Sequence, residues 1–400
     1  MKRSVFRTGA SVALATVLAA GPLAATALAC GLGSHGHGGS GSHSTPGSHH
    51  VPGHPGHGTS PLKPGSKLPT QVFAPYLDVT AVDSIAQTSK DSGAKYVTLA
   101  FLQADKPGSC DLYWAGDPDQ SVASRALGDE IAKIRKAGGD VIPSFGGYNA
   151  DTDIITWAGD PANLTEIADS CTDVHKLAQA YEKVVTTYGV QRLDFDIESD
   201  SINNAPGVDR RNAAIAEVQQ WAKKNHRTVE ISYTLPSTPN GLAASGLAVL
   251  QSAAAHGAVI HNVNIMTFDY WDGVEHDMVA DAESAATALT GQLKATILPH
   301  ASQAELWRHV GVIQMNGTDD YRTADGVATE VFTPAQAVTF EKWAAKQHLA
   351  FLGFWALQRD NGSCPDATVA QNDCSGIDQK TWAFTKAFKP FTSDGWADRH

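Results

Sequence analysis

Apolar residues recur along this chain in two rhythms. Runs of strand character, continuously apolar or alternating, fall at Val72 to Val79, Tyr96 to Leu102, Asp140 to Phe145, Arg192 to Glu198, Val229 to Leu235, Val259 to Phe268, Val310 to Met315 and Ala350 to Leu357. Most are followed by a segment whose apolar positions repeat at helical spacing, among them Ala123 to Ala137, His175 to Tyr188, Asp209 to Lys224, Gly241 to Ala255, Pro334 to Lys346 and Ile377 to Phe388. Strand-then-helix units that count to eight in this length predict an α/β fold, a closed (β/α)8 TIM barrel. A doubly wound open sheet is the competing arrangement, and the closure of the count at eight favours the barrel.

The fourth run holds the most informative pattern, Leu193-Asp194-Phe195-Asp196-Ile197-Glu198. Side chains alternate along a strand, so Leu193, Phe195 and Ile197 face one way while the three acids face the other, about 7 Å apart. Like charges this close do not all stay ionised, and at least one carboxyl is expected to keep its proton near neutral pH. A protonated acid beside an ionised one is equipment for general acid catalysis. The alternative is a solvated acidic edge or a cation site, and the large apolar residues at every intervening position argue for burial instead.

Barrel chemistry sits at the carboxyl ends of the strands. Glu198 ends the fourth strand, Ser144-Phe145-Gly146-Gly147 the third and Met266-Thr267-Phe268-Asp269-Tyr270 the sixth, with Trp355 near the end of the eighth. Tyr76 and Gln314 are polar residues near the ends of the first and seventh strands; either lines the cleft or is buried with one satisfied hydrogen bond. Trp271 is a candidate for ligand contact or for packing.

The chain opens with Met1-Lys2-Arg3, continues through an apolar run from Ala10 to Ala29 and reaches Ala27-Leu28-Ala29 before Cys30. This reads as a secretory signal peptide over residues 1–29. The expectation is a secreted, extracellular protein, with lipid anchoring at Cys30 as the lesser alternative. Residues 30–69 are rich in Gly, Ser, Pro and His and are expected to form a disordered leader. Its histidines, between His35 and His57, lack regular ligand spacing, so a polar spacer is preferred over a metal site. A catalytic domain is expected over 70–393 and a short tail over 394–400.

A formal charge of −12 without a Lys/Arg cluster argues against nucleic acid as a partner. Beyond the signal peptide no apolar stretch is long enough to cross a bilayer. Apart from Cys30, the cysteines are Cys110, Cys171, Cys364 and Cys374, an even number that in an exported chain reads as two disulfides. Sequence allows three pairings. Cys364 with Cys374 closes a short loop and is the natural first pair, which leaves Cys110 with Cys171.

The fourth strand resembles the catalytic strand of glycoside hydrolase family 18, the chitinases and their relatives, whose signature ends in D-x-D-x-E. The match assigns Asp194, Asp196 and Glu198, with Glu198 as proton donor; Gln191 stands where the fuller signature has another Asp. Ser144, Gly146 and Gly147 match the family's S-x-G-G motif, Asp269 and Met266 the acid and the pocket-floor residue of its sixth strand, and Trp355 the tryptophan under the sugar at the cleavage point. The family commonly has Tyr immediately before the strand-six acid, donating to the substrate's acetamide oxygen. Here it is Phe268, which cannot donate, so that role is missing or passes to Tyr270. A bacterial subgroup of the family carries M-T-x-D-Y without the earlier Tyr, as here.

The resemblance implies a substrate-assisted, retaining glycosidase acting on chitin or other N-acetylglucosamine-containing oligosaccharides. No metal and no cofactor are required, and a monomer is expected. Two alternatives keep the barrel: an endo-β-N-acetylglucosaminidase acting on glycans, and a non-catalytic chitin-binding lectin-like barrel. Retention of Glu198 favours an enzyme.

Overall fold

A computed structural model describes residues 60–151, 165–320, 328–365, 367 and 370–392, all of which belong to one compact unit. The signal peptide, most of the leader with its histidines, and the tail at 394–400 lie outside the described residues.

Eight parallel strands form the centre. β1 runs as Val72–Phe73 and Tyr76–Asp78, β2 is Tyr96–Gln103, β3 Asp140–Gly146, β4 Arg192–Asp196, β5 Glu230–Thr238, β6 Asn262–Met266, β7 Val310–Met315 and β8 Phe351–Trp355. Each pairs with the next in this order. The ring closes through β1, whose first half pairs with β8 (Val72 with Phe351) and whose second half pairs with β2 (Tyr76 with Thr98). Pro75 marks the handover. It has no N–H to give, while Ala74 still donates to Leu352 and the Pro75 carbonyl accepts from Thr98.

After the successive strands come α1 (Ile85–Ser92), α2 (Gly128–Lys136), α3 (Val174–Tyr188), α4 (Ala205–Lys224), α5 (Ala244–His256), α6 (Met278–Thr296), α7 (Pro334–Gln347) and α8 (Ala383–Phe388). This is the (β/α)8 barrel expected from the pattern, and a doubly wound sheet is excluded by the closed pairing. Two helices begin later than their apolar spacing suggests. Arg125 and Leu127 ahead of α2, and Trp382 ahead of α8, take positive φ, so the chain is still turning where the helical rhythm has already begun. No helix among the described residues is long and apolar enough to cross a membrane.

The alternation in β4 divides two cores. Phe195 faces outward, stacked on Phe145 at 4.9 Å and capped edge-on by Tyr181 of α3 at 5.1 Å. Leu193, Phe195 and Ile197 are fully buried in this layer, each contributing roughly 1.5–3 kcal/mol. That apolar layer fixes the register, and with it the acids turn into the barrel.

Residues 60–69 differ from the expected free leader. Leu62 and Gly65 donate to the carbonyls of Thr187 and Gly189, and Arg135 and Gln191 donate back to Lys63 and Gly65. Gly65 lies so close to the Arg135–Asp140 ion pair that a Cβ there would fall 1.7 Å from an Asp140 oxygen. Gly65, the one glycine of this stretch, permits close backbone packing at the amino ends of the strands, opposite the acids.

Candidate active site

Asp194 lies lowest of the three acids and is almost wholly buried. Tyr76 and Ser144 each donate to its Oδ2 at 2.7 Å, and Ser232 at 2.6 Å, Thr234 at 3.1 Å and Asn264 at 3.3 Å surround Oδ1. Burial pushes its carboxyl above the usual range and these bonds oppose that push. The barrel interior is therefore a polar cradle for one carboxylate.

Asp196, one pleat higher, has no such cradle. Burial, followed by the charges of Glu198, Asp194 and Asp151, holds it well above the usual range, and its Oδ1 has no hydrogen-bond partner among the described residues. Glu198 lies two residues beyond the strand and is half-buried. Burial raises its carboxyl to about 7; the Tyr148 N–H bonded to it lowers it, and Asp320 raises it. A buried carboxyl held well above the usual range beside a half-buried one raised to about 7 is an arrangement able to give and take a proton near neutral pH.

Gly146 and Gly147 bring the neighbouring loop against this strand. Both have positive φ, and a Cβ on Gly147 would meet the Phe101 ring at 2.5 Å, while Gly147 N–H donates to the Asp196 carbonyl at 3.0 Å. The short helix Tyr148–Asp151 that follows carries no motif of its own, yet two of its residues touch Glu198: the Tyr148 N–H bonds the carboxylate, and Asp151 Oδ2 accepts the Glu198 N–H at 2.6 Å. Tyr148 directly follows the S-x-G-G residues, and that adjacency was the available signal. Ser232, Thr234 and Asn264 also had one, since polar residues alternate with apolar ones in Glu230 to Leu235 and in Asn262 to Met266.

Across the mouth, Asp269 feels Glu198 among its neighbouring charges, so the ends of β4 and β6 share one cleft. Its carboxyl is held well above the usual range by burial first and then by Asp319, which also accepts the Asp269 N–H at 3.0 Å. Asp319 lies in the segment after β7, beside buried Arg359, whose Nη2 donates to Thr318 and Asn316 carbonyls. Trp355 is half-buried and stacks on Phe101 at 5.7 Å, with Tyr76 at 6.1 Å. Met266 keeps the inward face of β6, and Phe268 is buried above it.

Four of the candidate residues have their polar groups engaged or buried below or beside the mouth, and for Tyr76 and Gln314 this is the burial with a hydrogen bond that their types also allow. Gln314 pairs with Phe354, whose ring packs on Phe384 and Phe388, so both face the helices; the Gln314 amide donates to Met278 of α6. Its neighbours Ile313 and Met315 take the inward positions, as period two requires. Tyr76 and Ser144 are fully buried and spend their hydroxyls on Asp194, beneath the cleft. Tyr270 follows Asp269, whose φ of 54° turns the chain; its N–H donates to Glu330, its ring lies 4.7 Å from His276, and burial first, then Asp281 and Glu330, push its hydroxyl up. Its hydroxyl is buried and has no hydrogen-bond partner among the described residues.

The cysteines pair as Cys110–Cys171 and Cys364–Cys374. The first joins the loops after β2 and β3, and the second closes the loop after β8, both on the rim that carries the acids.

The sequence model of glycosyl hydrolases family 18 matches residues 72–319. A probable bifunctional chitinase/lysozyme of Escherichia coli is 31% identical over 342 residues, 82% of this chain and 35% of that protein. Endochitinase 11 of Metarhizium anisopliae is 31% identical over 308 residues, 74% of this chain and 54% of that one. The chain thus spans about a third and about half of the length of these relatives. Among solved structures, the catalytic domain of a hyperthermophilic chitinase from Pyrococcus furiosus superposes with a TM-score of 0.65 at 29% identity, covering 82% of this chain and 96% of that one. Catalytic-site mutants of a thermostable chitinase domain from the same organism, complexed with chito-oligosaccharides, give 0.64 at 28% identity, with the same coverage.

Proposed function

The chain belongs to glycosyl hydrolases family 18, and from that premise we propose that it hydrolyses β-1,4 bonds between N-acetylglucosamine units of chitin or its oligomers. The supporting observation is the stack of acids at the mouth of the barrel: Glu198 titrating near 7, Asp196 below it with a free Oδ1, and Asp194 fixed by five donors. Glu198 gives its proton to the glycosidic oxygen as the bond to the anomeric carbon breaks. The carbonyl oxygen of the sugar's own acetamide bonds to that carbon, giving an oxazolinium ion, and Asp196 holds the acetamide N–H. The Glu198 carboxylate then takes a proton from water, whose oxygen opens the ring on the face the leaving group had occupied. The configuration is retained.

Two features support this sequence of events. Asp194 is supplied with donors for every lone pair and favours its ionised form relative to Asp196, so the proton shared by the pair resides on the upper acid, next to the reacting sugar. Trp355 and Phe101 give an apolar wall against which the C–H face of a pyranose fits. Export through the amino-terminal segment is part of the same proposal.

The test is product analysis on N-acetylglucosamine oligomers of increasing length, on colloidal chitin and on a high-mannose glycoprotein. Cleavage of oligomers and chitin with the β-anomer as first product is expected. Absence of cleavage, first appearance of the α-anomer, or release from the glycoprotein alone would overturn the proposal.

A further inference from the structure

Glu198 stands on a turn beyond the end of its strand, where ladder hydrogen bonds no longer fix it. Its carbonyl accepts from Ile202 at 3.0 Å, and its N–H and carboxylate are held by the four-residue helix Tyr148–Asp151. The Gly147 N–H donates to the Asp196 carbonyl at 3.0 Å, and the next N–H, that of Tyr148, bonds the Glu198 carboxylate. Asp151 Oδ2 accepts the Glu198 N–H at 2.6 Å, and the Asp151 carbonyl accepts from Asp200 at 3.0 Å and Ser201 at 3.2 Å. Both ends of Glu198, backbone and carboxylate, are tied to one helix. Of these ties only the Asp151 carboxyl is a side chain, and so only it is open to substitution.

We infer that Asp151 is a positioning residue for the proton donor: its carboxyl anchors the Glu198 main chain and so sets where the Glu198 carboxyl meets the glycosidic oxygen. Asp151 does not reach the cleft. It is almost wholly buried, and among the described residues its other oxygen has no hydrogen-bond partner and its one side-chain bond goes to Glu198. Burial, then Glu166 and Glu198, hold its carboxyl well above the usual range, a state in which a neutral oxygen is the required acceptor and a charge is not. Charge-neutral asparagine, which keeps an oxygen at the same reach, is therefore the conservative replacement. The inference rests on Glu198 being the acid proposed above.

The test compares Asp151→Ala and Asp151→Asn on an N-acetylglucosamine oligomer that the parent cleaves, with oligomer binding measured separately by tryptophan fluorescence. A misplacement of about 1 Å costs around a hundredfold in rate. Asp151→Ala is expected to lose about that much in kcat with KM and binding within about threefold of the parent, and Asp151→Asn to recover at least tenfold of the loss. Should the alanine variant not fold, Asp151→Ser, too short to reach the N–H, carries the same expectation. Parent-like kcat in the alanine or serine variant, a loss shared equally by KM, or an asparagine variant as slow as the alanine would overturn the inference. A parent that cleaves no oligomer would instead remove the proposed function itself.

Discussion

Gly146 meets the backbone of Asp196 so closely that a Cβ on the glycine would lie 2.2 Å from the Asp196 carbonyl oxygen. The same residue has a φ of 92°. Two independent reasons thus exclude a side chain, and relief of the contact would push the acid strand away from the loop that carries Tyr148 and Asp151. Gly146→Ala is expected to cost about 2 kcal/mol or more of stability and most of the activity, read by urea denaturation and by turnover of an oligosaccharide. A variant with parent-like stability would show that the contact relaxes freely.

Glu198→Gln removes the proton while keeping shape and the bond to the Tyr148 N–H. Turnover should fall by at least a thousandfold while oligosaccharide binding stays within a few-fold of the parent. In the parent, kcat/KM should decline as pH rises through about 7, because the acid has then lost its proton. Turnover at the parent rate in the glutamine variant would assign the donor elsewhere.

The barrel was legible because β4 repeats apolar residues at every second position and most strands are followed by helical spacing. The acids were legible for the same reason: the packing of Phe195 on Phe145 and Tyr181 leaves Asp194 and Asp196 only the inward face. Gln314 shows the limit. Its type suited a cleft, but parity, readable from Ile313 and Met315, turns it under α6. Asp151 was not legible, since its bond to Glu198 depends on a turn whose path is set by the positive φ of Gly146 and Gly147. The course of the chain at Tyr270 has a kindred cause, the positive φ of Asp269.

The two disulfides should differ in worth. Cys110–Cys171 spans 61 residues of sequence and Cys364–Cys374 spans 10, so loop closure gives about 4 and about 3 kcal/mol respectively. Replacing each pair by serine and comparing urea midpoints should place the 110/171 variant lower. Equal midpoints would mean that the long loop is already restrained in the unfolded chain.

Trp355 offers its half-buried face beside Phe101. Trp355→Ala is expected to weaken oligosaccharide binding ten- to a hundredfold, roughly 1.5–3 kcal/mol. Titration in the Glu198→Gln background would report binding without turnover. Unchanged affinity would reduce the tryptophan to packing.

The raised carboxyls also leave a mark on stability. A carboxyl whose pKa is higher folded than unfolded favours the unfolded chain once pH passes the unfolded value. For Glu198 the penalty is absent below 4.5, grows as pH climbs to about 7 and is constant above that. The rise from 4.5 to about 7 corresponds to on the order of 3 kcal/mol. Glutamine carries no such penalty, and it also relieves the repulsion that Glu198 exerts on Asp196. Glu198→Gln should therefore be more stable than the parent by about that amount at pH 8, with the gain vanishing at pH 4 when both are compared by urea denaturation. A gain of equal size at both pH values would trace the effect to packing, and no gain at pH 8 would mean that the Glu198 carboxylate is already paid for by its surroundings.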